Sequence, residues 1–224
     1  MSKNTTRHSR PRQLKPPSLK MAVQLLLLAL LIVVIFMAWS DTPPQNVDNS
    51  CDLFAEKRAW YRHAQASEKK WGTPIPIQLA IIYQESRFIH HAKTPREKYL
   101  WFLPGGRQSS AYGYAQVING TWEWYLAETG HRFATRDDFA DVTDFIGWYG
   151  VQSQRFLGIK NNDSLSLYLA YHEGHHGYRQ KTYRKKPWLM KVAREVQSRA
   201  KRYEVQLKSC QEQLDLPAWR RFFL

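Results

Sequence analysis

The sequence predicts an all-α (mainly α) chain: one helical domain carried on an N-terminal transmembrane helix. Three observations point there. Met21 to Trp39 is an apolar run of nineteen residues whose only strongly polar member is Gln24. At about 1.5 Å per residue it nearly crosses a hydrocarbon core of about 30 Å. Beyond residue 50, apolar residues recur mostly at helical spacing, and strand signals are sparse apart from room for a small hairpin between residues 100 and 118.

The ends set the topology. The first twenty residues hold six basic side chains and no acid, and the first charge after the apolar run is Asp41. That asymmetry places the N-terminus in the cytoplasm. A cleaved signal peptide is the alternative, because Ala38-Trp39-Ser40 offers small residues around a cleavage site; against it, the run exceeds the usual ~7–15 residues of such a segment. In both cases residues 41–224 lie outside the cytoplasm. The expected organisation is a basic cytoplasmic tail (1–20), an anchor (21–39), a short linker with Pro43-Pro44 (40–50), one domain (51–214) and a tail (215–224). The net charge of +14, from 33 Lys+Arg against 19 Asp+Glu, suits polyanionic partners. Export removes nucleic acid from that set and leaves anionic lipid or an acidic wall polymer. The only cysteines, Cys51 and Cys210, sit at the edges of the domain. In an oxidising compartment they read as one disulfide joining its ends, with two unrelated thiols as the alternative.

Within the domain, Leu53 to Trp71 reads as helix and stops at Gly72-Thr73-Pro74. The next helix begins at Thr73 or Ile75, with proline in its first turn. Residues 90–112 form a long Pro/Gly/Ser loop. Asn119 looks like the cap of a helix through Trp122 and Tyr125. Helices over Asp137–Leu157, Leu165–Tyr171 and Trp188–Leu214 complete the pattern. The last carries Leu189, Val192, Val196, Tyr203 and Leu207 on one face with Lys and Arg between them, which reads as a solvated basic face.

Three short motifs carry chemistry. Gln84-Glu85-Ser86 closes the helix of Ala80-Ile81-Ile82-Tyr83. A carboxyl at the end of so apolar a helix loses solvation, its pKa rises, and it stays protonated near neutrality, as a general acid requires. Gly113-Tyr114-Ala115-Gln116 follows the loop; Gly113 permits a close backbone approach and Gln116 offers both donor and acceptor. Ala170-Tyr171-His172-Glu173-Gly174 ends the next apolar helix. Trp101, Tyr112, Tyr114, Trp122, Trp124 and Tyr125 crowd the second motif and suit either a sugar cleft or the core.

In this order the motifs resemble the lytic transglycosylases with a goose-type-lysozyme-like domain. That pattern runs Glu-Ser after a buried helix, then Gly-Leu-Met-Gln, then Ala-Tyr-Asn-Ala-Gly. The resemblance covers roughly Ile75 to Tyr178 and implies a lysozyme-like fold. It implies Glu85 as the catalytic acid/base, with Ser86, Tyr114, Gln116, Tyr171 and His172 along the substrate cleft. It further implies peptidoglycan as substrate, cleaved between N-acetylmuramic acid and N-acetylglucosamine with 1,6-anhydro ends, without cofactor or metal. The setting would be the periplasmic face of an inner membrane, with association to an envelope protein complex left open. The chain departs from the pattern at Tyr114-Ala115 and at His172-Glu173. A hydrolase would want a second carboxylate, for which Glu123, Asp137 and Glu173 are available.

One other reading competes. His172-Glu173-Gly174-His175-His176 matches H-E-x-x-H, in which His172 and His176 would hold zinc and Glu173 activate water, with Glu195 as third ligand. Gly174 and Gly177 weaken that helix, Pro187 interrupts the path to Glu195, and the first two motifs stay unexplained. A non-catalytic wall-binding scaffold would keep the fold without the chemistry.

Overall fold

The computed structural model describes residues 18–40, 42–99 and 103–216, in two compact units, residues 1–42 and 43–224. Helix α1 (Leu19–Ser40) forms the first. Its large apolar side chains between Met21 and Val34 are all exposed. Among the described residues no helix is long and apolar enough to cross a membrane. The spanning helix expected over Met21–Trp39 is therefore not supported. The side chains of residues 35–40, the basic tail through residue 17, Trp101 and residues 217–224 lie outside the described part.

The second unit is helical, as expected. Helix α2 (Ser50–Glu56) starts on Asn49, whose side-chain oxygen accepts the N–H groups of Cys51 and Asp52. Lys57 leaves helical geometry and separates it from α3 (Arg58–Trp71), so Leu53–Trp71 is two helices rather than one. Helix α3 buries Trp60, Tyr61, Ala64 and Ser67 and ends on Gly72. Helix α4 (Ile75–Ser86) follows Pro74, and all eight residues from Ile75 to Ile82 are buried. A helix segment buried on every side, with Gln78 its one polar member, belongs at the centre of a domain, and α4 packs against α3, α6 and α8.

The hairpin falls earlier than expected. Strands β1 (Arg96–Tyr99) and β2 (Leu103–Arg107) pair antiparallel, with Tyr99 opposite Leu103. A two-stranded ribbon consists only of edges, which is where Pro104 and its following glycines are tolerated. Helix α5 (Asn119–Thr129) has its N-cap at Ile118 rather than Asn119, without a side-chain cap hydrogen bond. Helix α6 (Phe139–Leu157) starts on Asp138 and α7 (Ser164–Arg179) on Asp163, each side chain accepting a first-turn N–H. A 3-10 turn (Thr182–Lys185) leads to α8 (Pro187–Asp215). Its buried face, Leu189, Ala193, Val196, Ala200, Tyr203 and Leu207, recurs every three or four residues.

Cys51 and Cys210 are joined, Cα to Cα 6.0 Å, across 159 residues of sequence. Beside this bond Ser50 Oγ donates to the Tyr203 carbonyl, and the Tyr203 hydroxyl donates to the Val47 carbonyl. Arg199 binds Asp48 at 2.6 Å. The segment before α2 is thus held to α8 by several contacts besides the disulfide.

Candidate active site

Glu85 lies on the last turn of α4, where the helix stops abruptly. Arg87 and Phe88 both have positive φ, 52° and 64°, a conformation that L-residues rarely take. Phe88 holds it because its ring is fully buried and stacks on Trp60 at 5.8 Å. The chain therefore turns away directly after the Glu85-Ser86 pair. Part of Glu85 reaches solvent, while its carboxyl is enclosed and accepts a hydrogen bond from the Tyr168 hydroxyl. Burial pushes the carboxyl up to about 7, against a smaller downward pull from Tyr168. Tyr168 and Tyr171 are both pushed above the usual phenol range, first by burial and then by the nearby Glu85.

The second motif passes beside this helix end. Gly113 has φ of 80°, and a Cβ there would lie 1.8 Å from the Arg136 carbonyl oxygen, so only glycine fits. Gln116, at φ of 49°, donates through Nε2 to the carbonyls of Ala92 and Gly113, both at 2.9 Å. Its amide hydrogens brace the loop, and its carbonyl oxygen is the group left for a ligand.

Two hydrogen bonds join the three motifs. Ser86 Oγ donates to the Tyr114 carbonyl at 2.7 Å, and the Tyr171 hydroxyl donates to the Ala115 carbonyl at 2.5 Å. Segments spread over almost ninety residues of sequence are thus tied together beside the end of α4, with Tyr168 of α7 on Glu85. A family model described as the transglycosylase SLT domain matches residues 27–210, which contain all three motifs. The chain belongs to the transglycosylase SLT domain family. A comparison with curated proteins finds no match.

In this SLT domain not every expected cleft residue faces a cleft. Tyr114 is 4 % exposed, its ring edge-on to Trp60 and Phe139 at 5.6 Å each. It fills the core behind the second motif, a correction to its expected place on the substrate. Ser86 is buried too, and its hydroxyl ties motif to motif. Trp122 and Tyr125 are core residues, and Trp124 is half-buried against Trp148. Tyr168 was missed by sequence reasoning. Its signal was there: it precedes Tyr171 by three residues, close to one helical turn.

The H-E-x-x-H reading does not fit these residues. Gly174 (φ 70°, ψ 162°) breaks α7 inside the motif, so His172 and His176 do not share a helical face. His175 stacks on Tyr149 at 4.5 Å and shares a hydrogen bond with Ser153. Among the described residues no three of His, Cys, Asp and Glu gather closely enough to hold a metal. Glu173, the supposed base, is already engaged. It accepts from Lys186 Nζ at 2.7 Å and from the Thr182 hydroxyl, with His172 Nδ1 at 3.1 Å. Burial works against the charge, yet the bonds from Lys186, Thr182 and His172 bring the carboxyl down to about 2.

A folded-state pKa lowered from 4.5 gives stability that is complete above the unfolded value and is lost as pH falls through the folded one. Thermal melting should therefore show a loss of stability between about pH 4.5 and 2 that is smaller in Glu173→Gln. Equal acid sensitivity in both proteins would rule that contribution out.

The Tyr168 bond gives a second expectation. Since it lowers the Glu85 pKa, Tyr168→Phe should move any activity titration of Glu85 to higher pH, readable in the alkaline limb of kcat/KM.

Proposed function

We propose that the domain cleaves peptidoglycan glycan strands between N-acetylmuramic acid and N-acetylglucosamine, with Glu85 as its single acid and base. The observation that carries this reading is the enclosed Glu85 carboxyl, pushed up to about 7. A carboxyl still substantially protonated near neutrality can give its proton to the glycosidic oxygen as the C–O bond breaks. The resulting carboxylate then takes the proton of the muramic acid C6 hydroxyl, whose oxygen bonds to C1. The products are a 1,6-anhydro end and a free 4-hydroxyl, and no water is consumed.

Two-carboxylate hydrolysis finds less support in the residues. Asp137 is bound by the Tyr112 hydroxyl at 2.8 Å. Burial alone would raise its pKa, but bonds from Thr135 and Tyr112 outweigh this and lower it. Glu173 is held by Lys186 and Thr182, and Glu123 lies exposed on α5. The Cys51–Cys210 bond fits an oxidising compartment. With the exposed apolar side chains of α1 it supports a place at the periplasmic face of an inner membrane, attached through α1. Co-sedimentation with membranes at low ionic strength would be the expected result, and recovery in the soluble fraction would refute attachment.

The function is tested by incubating purified peptidoglycan with the chain and following soluble glycan release. Release that persists in a metal chelator and disappears in Glu85→Gln is expected. Release of peptides without glycan cleavage would favour a peptidase, and binding without cleavage a scaffold.

A further inference from the structure

Trp188 is 55 % exposed, whereas the other described tryptophans of the domain are buried or half-buried. Single exposed apolar side chains are common on protein surfaces and need no function. This one is held in place and stands at the end of a row. It is the second residue of α8, behind Pro187, and its neighbour Leu189 is fully buried, which fixes the helix register and leaves Trp188 outside. Two residues earlier, Lys186 binds Glu173 on α7, and the same Glu173 oxygen lies beside His172 Nδ1. One carboxylate thus holds both the start of α8 and the ring that meets Trp188.

The row begins at the acid. Tyr168 binds Glu85; His172, one turn further along α7, lies 6.4 Å from the Tyr168 ring; and Trp188 meets the His172 ring at 5.3 Å, nearly edge-on. Those three contacts lead outward from the Glu85 carboxyl to an open indole. A pyranose carries an apolar face of C–H bonds and a polar rim, and an indole complements the first.

We propose that Trp188, oriented by His172, is a stacking platform for a saccharide unit of the glycan beyond those joined at the cleaved bond. The inference rests on the proposed glycan-cleaving function and extends it to a specificity-determining residue. Its ligand is an N-acetylated β-1,4-linked sugar chain, and its effect grows with chain length. Trp188 touches no reacting atom, so it contributes to binding rather than to chemistry.

The test uses the full chain carrying Glu85→Gln, so that no sugar is turned over, with chitobiose and chitohexaose as probes in calorimetric titration. Adding Trp188→Ala should weaken chitohexaose binding about tenfold, the size of one aromatic contact, and leave chitobiose unchanged. Trp188→Phe should recover most of the loss. In the active chain Trp188→Ala should raise KM for glycan with kcat unchanged. Because the side chain is exposed, circular dichroism and melting should not change. Chitohexaose binding as tight in Trp188→Ala as in its parent, or an equal loss for both sugars, overturns the platform while glycan cleavage by the Trp188 parent still stands. If the parent binds neither sugar and the active chain releases no glycan, the proposed function falls and the platform with it.

Discussion

Replacing Glu85 by Gln is expected to lower glycan cleavage by roughly 10²–10⁴-fold, the range for loss of a positioned proton-transfer group, and to leave a folded, more stable protein. Both effects follow from one feature. Glutamine keeps the shape and the acceptor that Tyr168 meets, but carries no proton of useful acidity. The stability change has a definite sign. The Glu85 pKa is raised from 4.5 to about 7, so the unfolded chain ionises first. The native state is therefore penalised progressively as pH rises from 4.5 to about 7, and constantly above that. At about 1.4 kcal/mol per unit the penalty is on the order of 3 kcal/mol. Thermal melting of Glu85→Gln should exceed the parent's above pH 7 and converge with it below pH 4.5. Activity should mirror this, with kcat/KM of the parent falling as pH rises through about 7. Equal melting at every pH would mean that the carboxyl is ordinarily solvated.

Breaking the Cys51–Cys210 bond should produce the largest loss of stability in the domain. The bond closes a loop of 159 residues, and loop-closure entropy for that length corresponds to about 5 kcal/mol. Domains are commonly stable by only about 5–15 kcal/mol, so Cys51→Ser with Cys210→Ser should melt far below the parent, as should the reduced chain. The native arrangement of the site should nevertheless persist at low temperature. Ser50 and Val47 still bind Tyr203, and the meeting of α4, α7 and the Gly113–Gln116 turn lies elsewhere in the fold. Cleavage activity well below the melting point is thus expected to survive. A doubly substituted chain that melts with the parent would show that α2 and α8 stay joined without the cross-link.

The all-helical architecture was legible because it depends on local pattern. The buried face of α8 appears as periodicity and the largely apolar first two turns of α4 as a continuous run, and Pro74 and Gly72 mark boundaries that the structure keeps. The burial of the Glu85 carboxyl was legible for the same reason: a carboxyl closing an apolar helix has few other places to go. What local pattern could not show was partnership. Tyr114 reads like a cleft aromatic and proves to be core, because Trp60 and Phe139 arrive from distant segments to enclose it. Glu173 reads like part of a metal motif until Lys186 and Thr182 claim it. Asn119 reads like a cap, yet it is already helical and the cap position falls on Ile118. Tyr168 gains its meaning only when α7 is laid against the end of α4. The apolar run at the N-terminus is legible as composition, yet among the described residues no helix is long and apolar enough to cross a membrane.

Identification of the chain ends produced from purified peptidoglycan tests the central claim most directly. Mass spectrometry of the released muropeptides should show 1,6-anhydromuramic ends from the parent chain and none from Glu85→Gln. Reducing ends in their place would mean that water, activated by a second carboxylate, completes the reaction, and would contradict Glu85 acting alone.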